Sequence, residues 1–217
     1  MGKPAATDRP RLTSLSHSFT LDLVVGFENR TDAERLLDAF RERLAKFGLE
    51  LHPEKTRLIE FGRFAAPNRR QRGEGKPETF TFLGFTHYCG KQRSNGAFIV
   101  WRETAKQRMV AKLRAVKAEL RRRMHEPVAS VGEWLHKVVM GYYRYHAVPG
   151  NLDRLRVFGQ RLRRLWRLVL SRRSQRGMLP WDRLKPIFAR WIPVTLVLHP
   201  YPMERFIANH PRWEPYA

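Results

Sequence analysis

The sequence predicts an α+β N-terminal part, strand–helix–strand followed by a β-hairpin, joined to a mainly α-helical bundle. Two changes along the chain predict it. Up to about residue 102, short β-branched apolar runs alternate with one helical pattern and with turns rich in Gly, Pro and Asn. Beyond that point apolar residues recur every three or four positions through three successive segments, the mark of amphipathic helices. The charge changes with the pattern. Residues 1–100 carry 17 basic and 12 acidic side chains, residues 101–190 carry 23 and 6, and residues 191–217 balance.

Each element follows from its residues. Residues 1–18 are polar and hold two Pro and a Ser/Thr cluster, so an unstructured tail is expected. Leu21 to Phe27 (LDLVVGF) is apolar and β-branched, as a buried strand is. Thr31, Asp32, Ala33 and Glu34 form a capping-box pattern that opens a helix. Its apolar face is Ala33, Leu36, Leu37, Phe40, Leu44 and Phe47, and Gly48 ends it. Arg57 to Phe61 predicts a short strand. Ala65 to Pro77 (APNRRQRGEGKP) predicts a flexible connection. Thr79 to Tyr88 and Ala97 to Trp101 predict a hairpin.

Helical spacing then takes over. Met109, Leu113, Val116, Leu120 and Met124 form one stripe, which Pro127 breaks. A second capping-box pattern, Ser130 to Glu133, precedes the stripe of Trp134, Leu135, Val138, Val139, Tyr142 and Tyr143. Pro149 and Gly150 make a turn, and Asn151 is the expected N-cap of a third helix on Leu152, Leu155, Phe158, Leu162, Leu165, Trp166 and Val169. Three amphipathic helices with short connections pack as a bundle. A shorter helix is expected from Pro180, and the aromatic, Pro-rich end from Trp191 to Ala217 is expected against the bundle. Gly141 is expected to allow close helix approach. Tyr142, Tyr143, Trp166 and Trp181 are expected in the core.

The 217 residues carry 42 Lys plus Arg against 20 Asp plus Glu, a formal charge of +22, and 42% are hydrophobic. That composition excludes wholesale disorder. No apolar run reaches the roughly 18 residues of a membrane span, no signal-peptide pattern opens the chain, and the single Cys89 excludes a disulfide framework. A cytoplasmic protein with no membrane partner is the default expectation. Of the 42 cations 32 are Arg, whose planar fork grips phosphate bidentately and stacks on bases. The excess runs through several helices with few acidic neighbours, so a nucleic acid is the expected partner.

Several blocks, in order, resemble one family. LVVGF, FGLELHPEKTRLIEFGR and FTFLGFTHY resemble the C-terminal part of the palm of group II intron reverse transcriptases. WRETAKQRM, VVMGYYRYHAVPGN, LRRLWRLVLSRRSQRGMLPWDRL, LHPYPMERF and the terminal HPRWEPYA resemble the thumb and maturase domain of the same proteins. The resemblance covers residues 19–217. It implies a partial palm over 19–101 and a thumb/maturase domain over 102–217. It also implies intron RNA as partner, with DNA as a second polyanion of the intact enzymes.

Two departures bear on chemistry. Where the family has Tyr, a small residue and two consecutive Asp, this chain has Phe19, Thr20, Leu21 and Asp22, and the upstream region with a further catalytic Asp has no counterpart. The intact enzymes use two Mg²⁺ ions, and such ions need convergent carboxylates at short range. Asp22 alone is a remnant ligand that cannot clamp a metal pair, so no stably bound cofactor and no independent polymerase activity are expected. Lys55 matches a family position near the incoming nucleotide, but without a nucleotide site it reads rather as a surface-loop Lys. Phe82, Leu83, Gly84 and Phe85 match the hairpin that grips the primer end, and also read as an ordinary hairpin with one buried face. Cys89 and His87, two residues apart on a strand, share a face and read as structural filler.

The maturase resemblance implies RNA binding. Arg172, Arg173 and Arg176, with Gln175, are the first candidates, at a helix end where cations suit the dipole. Arg161, Arg163, Arg164 and Arg167 come next, then Arg121, Arg122, Arg123 and Arg144. Two rival readings of the same resemblance remain: the C-terminal half of a split polymerase that works with a separately encoded upstream fragment, and a decayed mobile-element relic.

Overall fold

The computed structural model describes residues 23–173 and 177–209. Among them are seven helices and one three-stranded antiparallel sheet, an α+β arrangement. Helices α1 (Arg30–Ala45) and α2 (Ala65–Gln71) precede strands β1 (Phe80–Phe82), β2 (Phe85–Lys91) and β3 (Phe98–Thr104). Helices α3 (Lys106–Arg122), α4 (Val128–His146), α5 (Leu152–Ser171), α6 (Trp181–Trp191) and α7 (Pro202–Asn209) follow. The sheet order is β1-β2-β3.

The expected three stripes form the core. Met109, Leu113, Val116 and Leu120 of α3 meet Leu135 and Val139 of α4 and Phe158, Leu162 and Trp166 of α5 in one cluster, which α6 closes with Leu184 and Phe188. Tyr142 stacks on Phe158 with ring centroids 4.0 Å apart, and Tyr143 is buried beside them. Both tyrosines and Trp166 are therefore core residues, as expected.

A buried polar joint fastens the sheet to the bundle. Asn151 is fully buried. Its side-chain oxygen accepts the Thr104 N–H at 2.8 Å, and its amide donates to the Thr104 hydroxyl at 2.7 Å and to the His146 carbonyl at 2.8 Å. The Thr104 hydroxyl also lies 3.3 Å from His146 Nδ1. Asn151 does stand at the N-cap position of α5, but its side chain turns away from the helix to serve the end of β3. Glu103 adds an outer link, accepting from Arg154 at 2.7 Å and from the Tyr88 hydroxyl at 2.7 Å. Trp101 adds an apolar link. It crosses Gly90 of β2 and packs over Gly150 in the α4–α5 turn, where a Cβ would lie 2.8 Å from its ring.

Other expectations are corrected. The described part of the first expected strand, Leu23 to Phe27, pairs with no described residue, and its apolar side chains are exposed. Arg57 to Phe61 is also unpaired; a strand needs a neighbour for its backbone, and β1 has only β2. The supposed connection 65–77 contains helix α2. Pro67 falls in its first turn, where its missing N–H costs nothing, and Gly73 at φ 71° ends it. The run 79–88 breaks into two strands at Leu83 and Gly84, whose φ angles of 47° and 80° make a two-residue hairpin. Neither capping box forms. Helix α1 starts two residues early, with Asn29 as N-cap, and α4 starts after Pro127, leaving Ser130 inside it.

The C-terminal half has corrections too. Gly141 is exposed with no neighbour near its missing Cβ; the close approach belongs to Gly132, where a Cβ would sit 2.6 Å from the Trp191 ring. Trp181 is exposed at 38% rather than buried. After buried Ile192, residues Val194, Leu196, Val197 and Leu198 are exposed, and the segment is tied back by the Leu198 and His199 N–H groups on the Ala147 carbonyl. Residues 210–217 lie outside the described part, as does the expected tail.

Replacing Asn151 by Ala leaves the Thr104 N–H and the His146 carbonyl without their partner. Urea unfolding should show a loss of about 2–4 kcal/mol. A loss below about 0.5 kcal/mol, the size of an ordinary surface change, would refute the joint.

Candidate nucleic-acid interface

Helical periodicity sorts the cations of the bundle. On α5 the buried face is Leu155, Phe158, Leu162, Trp166 and Val169. Arg161, Arg164, Leu168 and Arg172 are spaced 3, 4 and 4 residues apart and share one exposed edge. On α3, Arg114, Lys117 and Arg121, spaced 3 and 4, share another. The two helices run side by side, since Thr104 meets Asn151 at one end while Lys117 and Arg121 meet Val169 and Arg172 at the other. Lys117, Arg121 and Arg172 rim a shallow hollow of about 70 Å³ whose floor is Leu165, Leu168 and Val169. Among the described residues, no carboxylate pairs with Arg114, Lys117, Arg121, Arg161, Arg164 or Arg172; the ion pairs of the bundle fall elsewhere. The groove is too small to enclose a ligand. Its free cations, flanking an apolar floor, suit an extended polyanion lying across it.

The remaining candidates divide by what already holds them. Arg122 and Arg123 grip Glu119, whose carboxyl their hydrogen bonds hold down at about 2. Arg123 also reaches Glu126 and stacks 5.2 Å from the Trp134 ring centre. Arg167 donates to the Leu179 carbonyl at 2.8 Å and lies 4.6 Å over the Trp181 ring, pinning the start of α6. Arg173 is half-buried, its Nε has no partner among the described residues, and burial lowers its pKa. Arg163 is half-buried beside Gly159. Arg144 is exposed at the end of α4, and its carbonyl accepts from His199. Gln175, Arg176 and Asp22 lie outside the described residues. The sequence pattern therefore names Arg122, Arg123 and Arg167, which are engaged, and passes over Arg114 and Lys117, which are free. The missed signal was the i, i+3, i+7 spacing of cations beside the α3 stripe.

The palm-like candidates are dispersed. Lys55 is exposed in a turn, with its backbone N–H on the His52 carbonyl. The hairpin Phe82–Phe85 is held firmly. The Tyr145 hydroxyl donates to the Leu83 carbonyl at 2.7 Å, the Ala105 N–H donates to the Gly84 carbonyl at 2.9 Å, and Phe85 stacks on Tyr145. Leu83 keeps a left-handed backbone, worth roughly 1–2 kcal/mol of strain for a residue with a Cβ, and presents an exposed side chain at the tip. Cys89 Sγ accepts from the Gly62 N–H at 3.3 Å, and His87 stacks on Phe80, so both are packed locally. Among the described residues no three His, Cys, Asp or Glu side chains converge, and Glu28 and Asp32 flank the start of α1. The described carboxylates by themselves do not make up a donor set for a pair of Mg²⁺ ions, and Asp22 lies outside them. No family model matches the chain, and neither a curated protein nor a solved structure matches it.

Burial pushes the His146 imidazole down to about 4, and burial also lowers His87. The unfolded chain takes up a proton below about 6.5 that the folded chain refuses. The contribution of His146 is thus whole above that value and is lost as pH falls toward about 4. Urea unfolding should show a loss on the order of 1–3 kcal/mol across this window, and a smaller loss in His146→Gln. Parallel pH profiles for the two proteins would refute the assignment.

Proposed function

We propose that the chain is the C-terminal part of a group II intron-encoded reverse transcriptase/maturase, a partial palm followed by a thumb/maturase domain. It binds intron RNA and does not polymerise. The observation that carries the reading is the α3/α5 groove: cations from two helices, without carboxylate partners, on either side of an apolar floor. Each phosphate neutralised there releases counterions, so affinity falls steeply with salt. DNA offers the same phosphates, and the preference for RNA rests on the resemblance of the thumb and maturase blocks.

The polymerase half of the family's chemistry has no comparable support. Leu21 stands where the family pattern has an Asp, and the described carboxylates are spread over separate ion pairs, Glu60 on Arg72 and Glu78 on Arg57 among them. The residues of this chain bind and orient RNA, whose own fold supplies splicing chemistry in the family.

The test is filter binding of structured intron RNA over a salt series. Arg121→Ala and Arg172→Ala should each reduce the salt slope by about 1, while Arg122→Ala, already committed to Glu119, should change it little. A flat salt response would overturn the reading. Primer extension with the purified chain should yield no product; template copying with Leu21 in place would refute the account of the metal site.

A further inference from the structure

Leu168 interrupts the cation edge of α5. It stands between Arg164 and Arg172 at the same helical spacing, yet it is apolar and 45% exposed. Next to it Leu165 is half-buried and Val169 buried, and the three side chains make the floor of the hollow that Lys117, Arg121 and Arg172 rim. The edge from Arg161 to Arg172 extends about 16 Å at the α-helical rise. Among the described residues its cations have no carboxylate partner, so it suits an anion that repeats along its length. The apolar floor selects further among such anions.

An RNA duplex turns phosphates and sugar hydroxyls outward, while its bases are stacked and paired. Laid across the two cation edges, it would cover Leu168 with polar backbone and bury little apolar surface of its own. An unpaired strand carries, with each phosphate, a base whose faces are free. It keeps its phosphates on the cations and turns a base down against Leu168, where burial of apolar surface is favourable. The hollow, about 70 Å³, admits the edge of a base rather than a whole ring. We propose that the α3/α5 groove takes an unpaired RNA segment in preference to a duplex, with one base seated against Leu165, Leu168 and Val169. The inference rests on the RNA-binding reading and adds the class of RNA to it. The cations set how binding responds to salt. Leu168 sets the affinity at fixed salt and the choice between unpaired and paired strands.

The test is filter binding of the full chain to an oligouridylate, whose bases stack little on one another, and to a blunt RNA duplex of the same length, over a salt series. Per phosphate, the oligouridylate should bind at least about threefold tighter. Leu168→Ala should weaken oligouridylate binding about three- to tenfold and leave duplex binding within about twofold. Its salt slope should match that of the native chain, because no charge is lost. The near-ultraviolet dichroism of the six Trp, all between residues 101 and 217, checks the fold of the variant. A smaller preference for the oligouridylate, a smaller loss in Leu168→Ala, or an equal loss for the duplex would each overturn the proposal. Polyglutamate that displaces the oligouridylate as well as free oligouridylate does, charge for charge, assigns the groove to acidic chains and also overturns it. If Leu168→Ala alters the Trp dichroism, the comparison of strands on the native chain decides alone. Failure of both RNAs to bind at low salt sinks the RNA-binding reading too, whereas equal binding of the two with a steep salt response leaves that reading standing and removes only the preference.

Discussion

The structure depends on a single buried polar side chain. Asn151 satisfies the last backbone N–H of β3 and the last turn of α4 while standing at the start of α5. Without it three chain segments would meet with unpaired backbone groups out of reach of water, at about 1–3 kcal/mol for each. The joint also fixes direction. It brings the start of α5 beside the start of α3, so the two helices run parallel and their cation edges meet along one groove. An apolar residue at 151 would pack, but would not specify which strand end sits there.

The same joint explains the rigidity of the hairpin. Tyr145 and His146 are adjacent at the end of α4. Tyr145 holds the Leu83 carbonyl, while His146 lies beside Thr104 and edge-on to Phe85. The left-handed Leu83 is thus over-determined by contacts from a different part of the chain. Leu83 is exposed and Phe85 half-buried: one hairpin presents an apolar tip and anchors its base.

What was legible in the sequence follows from the range of the forces. The α3, α4 and α5 stripes were readable because burial acts on every third or fourth residue of one continuous segment. The Gly48 terminus was readable because its φ of 67° is a local demand. The strands expected at 21–27 and 57–61 were not, because pairing depends on a partner elsewhere, and β-branched composition carries no information about whether one exists. Helix α2 was hidden by its own composition: Pro67 and Gly73 suggest a loop unless their positions, first turn and terminus, are weighed. The cation edges were half legible. Charge density pointed to the segment that carries them, but whether a given Arg is free depends on Glu119, Leu179 or Trp181 being in reach.

That last distinction bears on how a basic protein should be read. Formal charge counts Arg122, Arg123 and Arg167 equally with Arg121 and Arg172. Yet the first three have their hydrogen bonds committed to a carboxylate or a carbonyl, and a phosphate would have to displace those partners. Exchange of one acceptor for another gains little, whereas a solvated guanidinium releases counterions at full value. The net +17 of residues 101–190 therefore overstates the cations left free to meet a new anion. The α3 and α5 edges carry cations without a described carboxylate partner, while Arg122, Arg123, Arg154, Arg156 and Arg167 are engaged within the described structure.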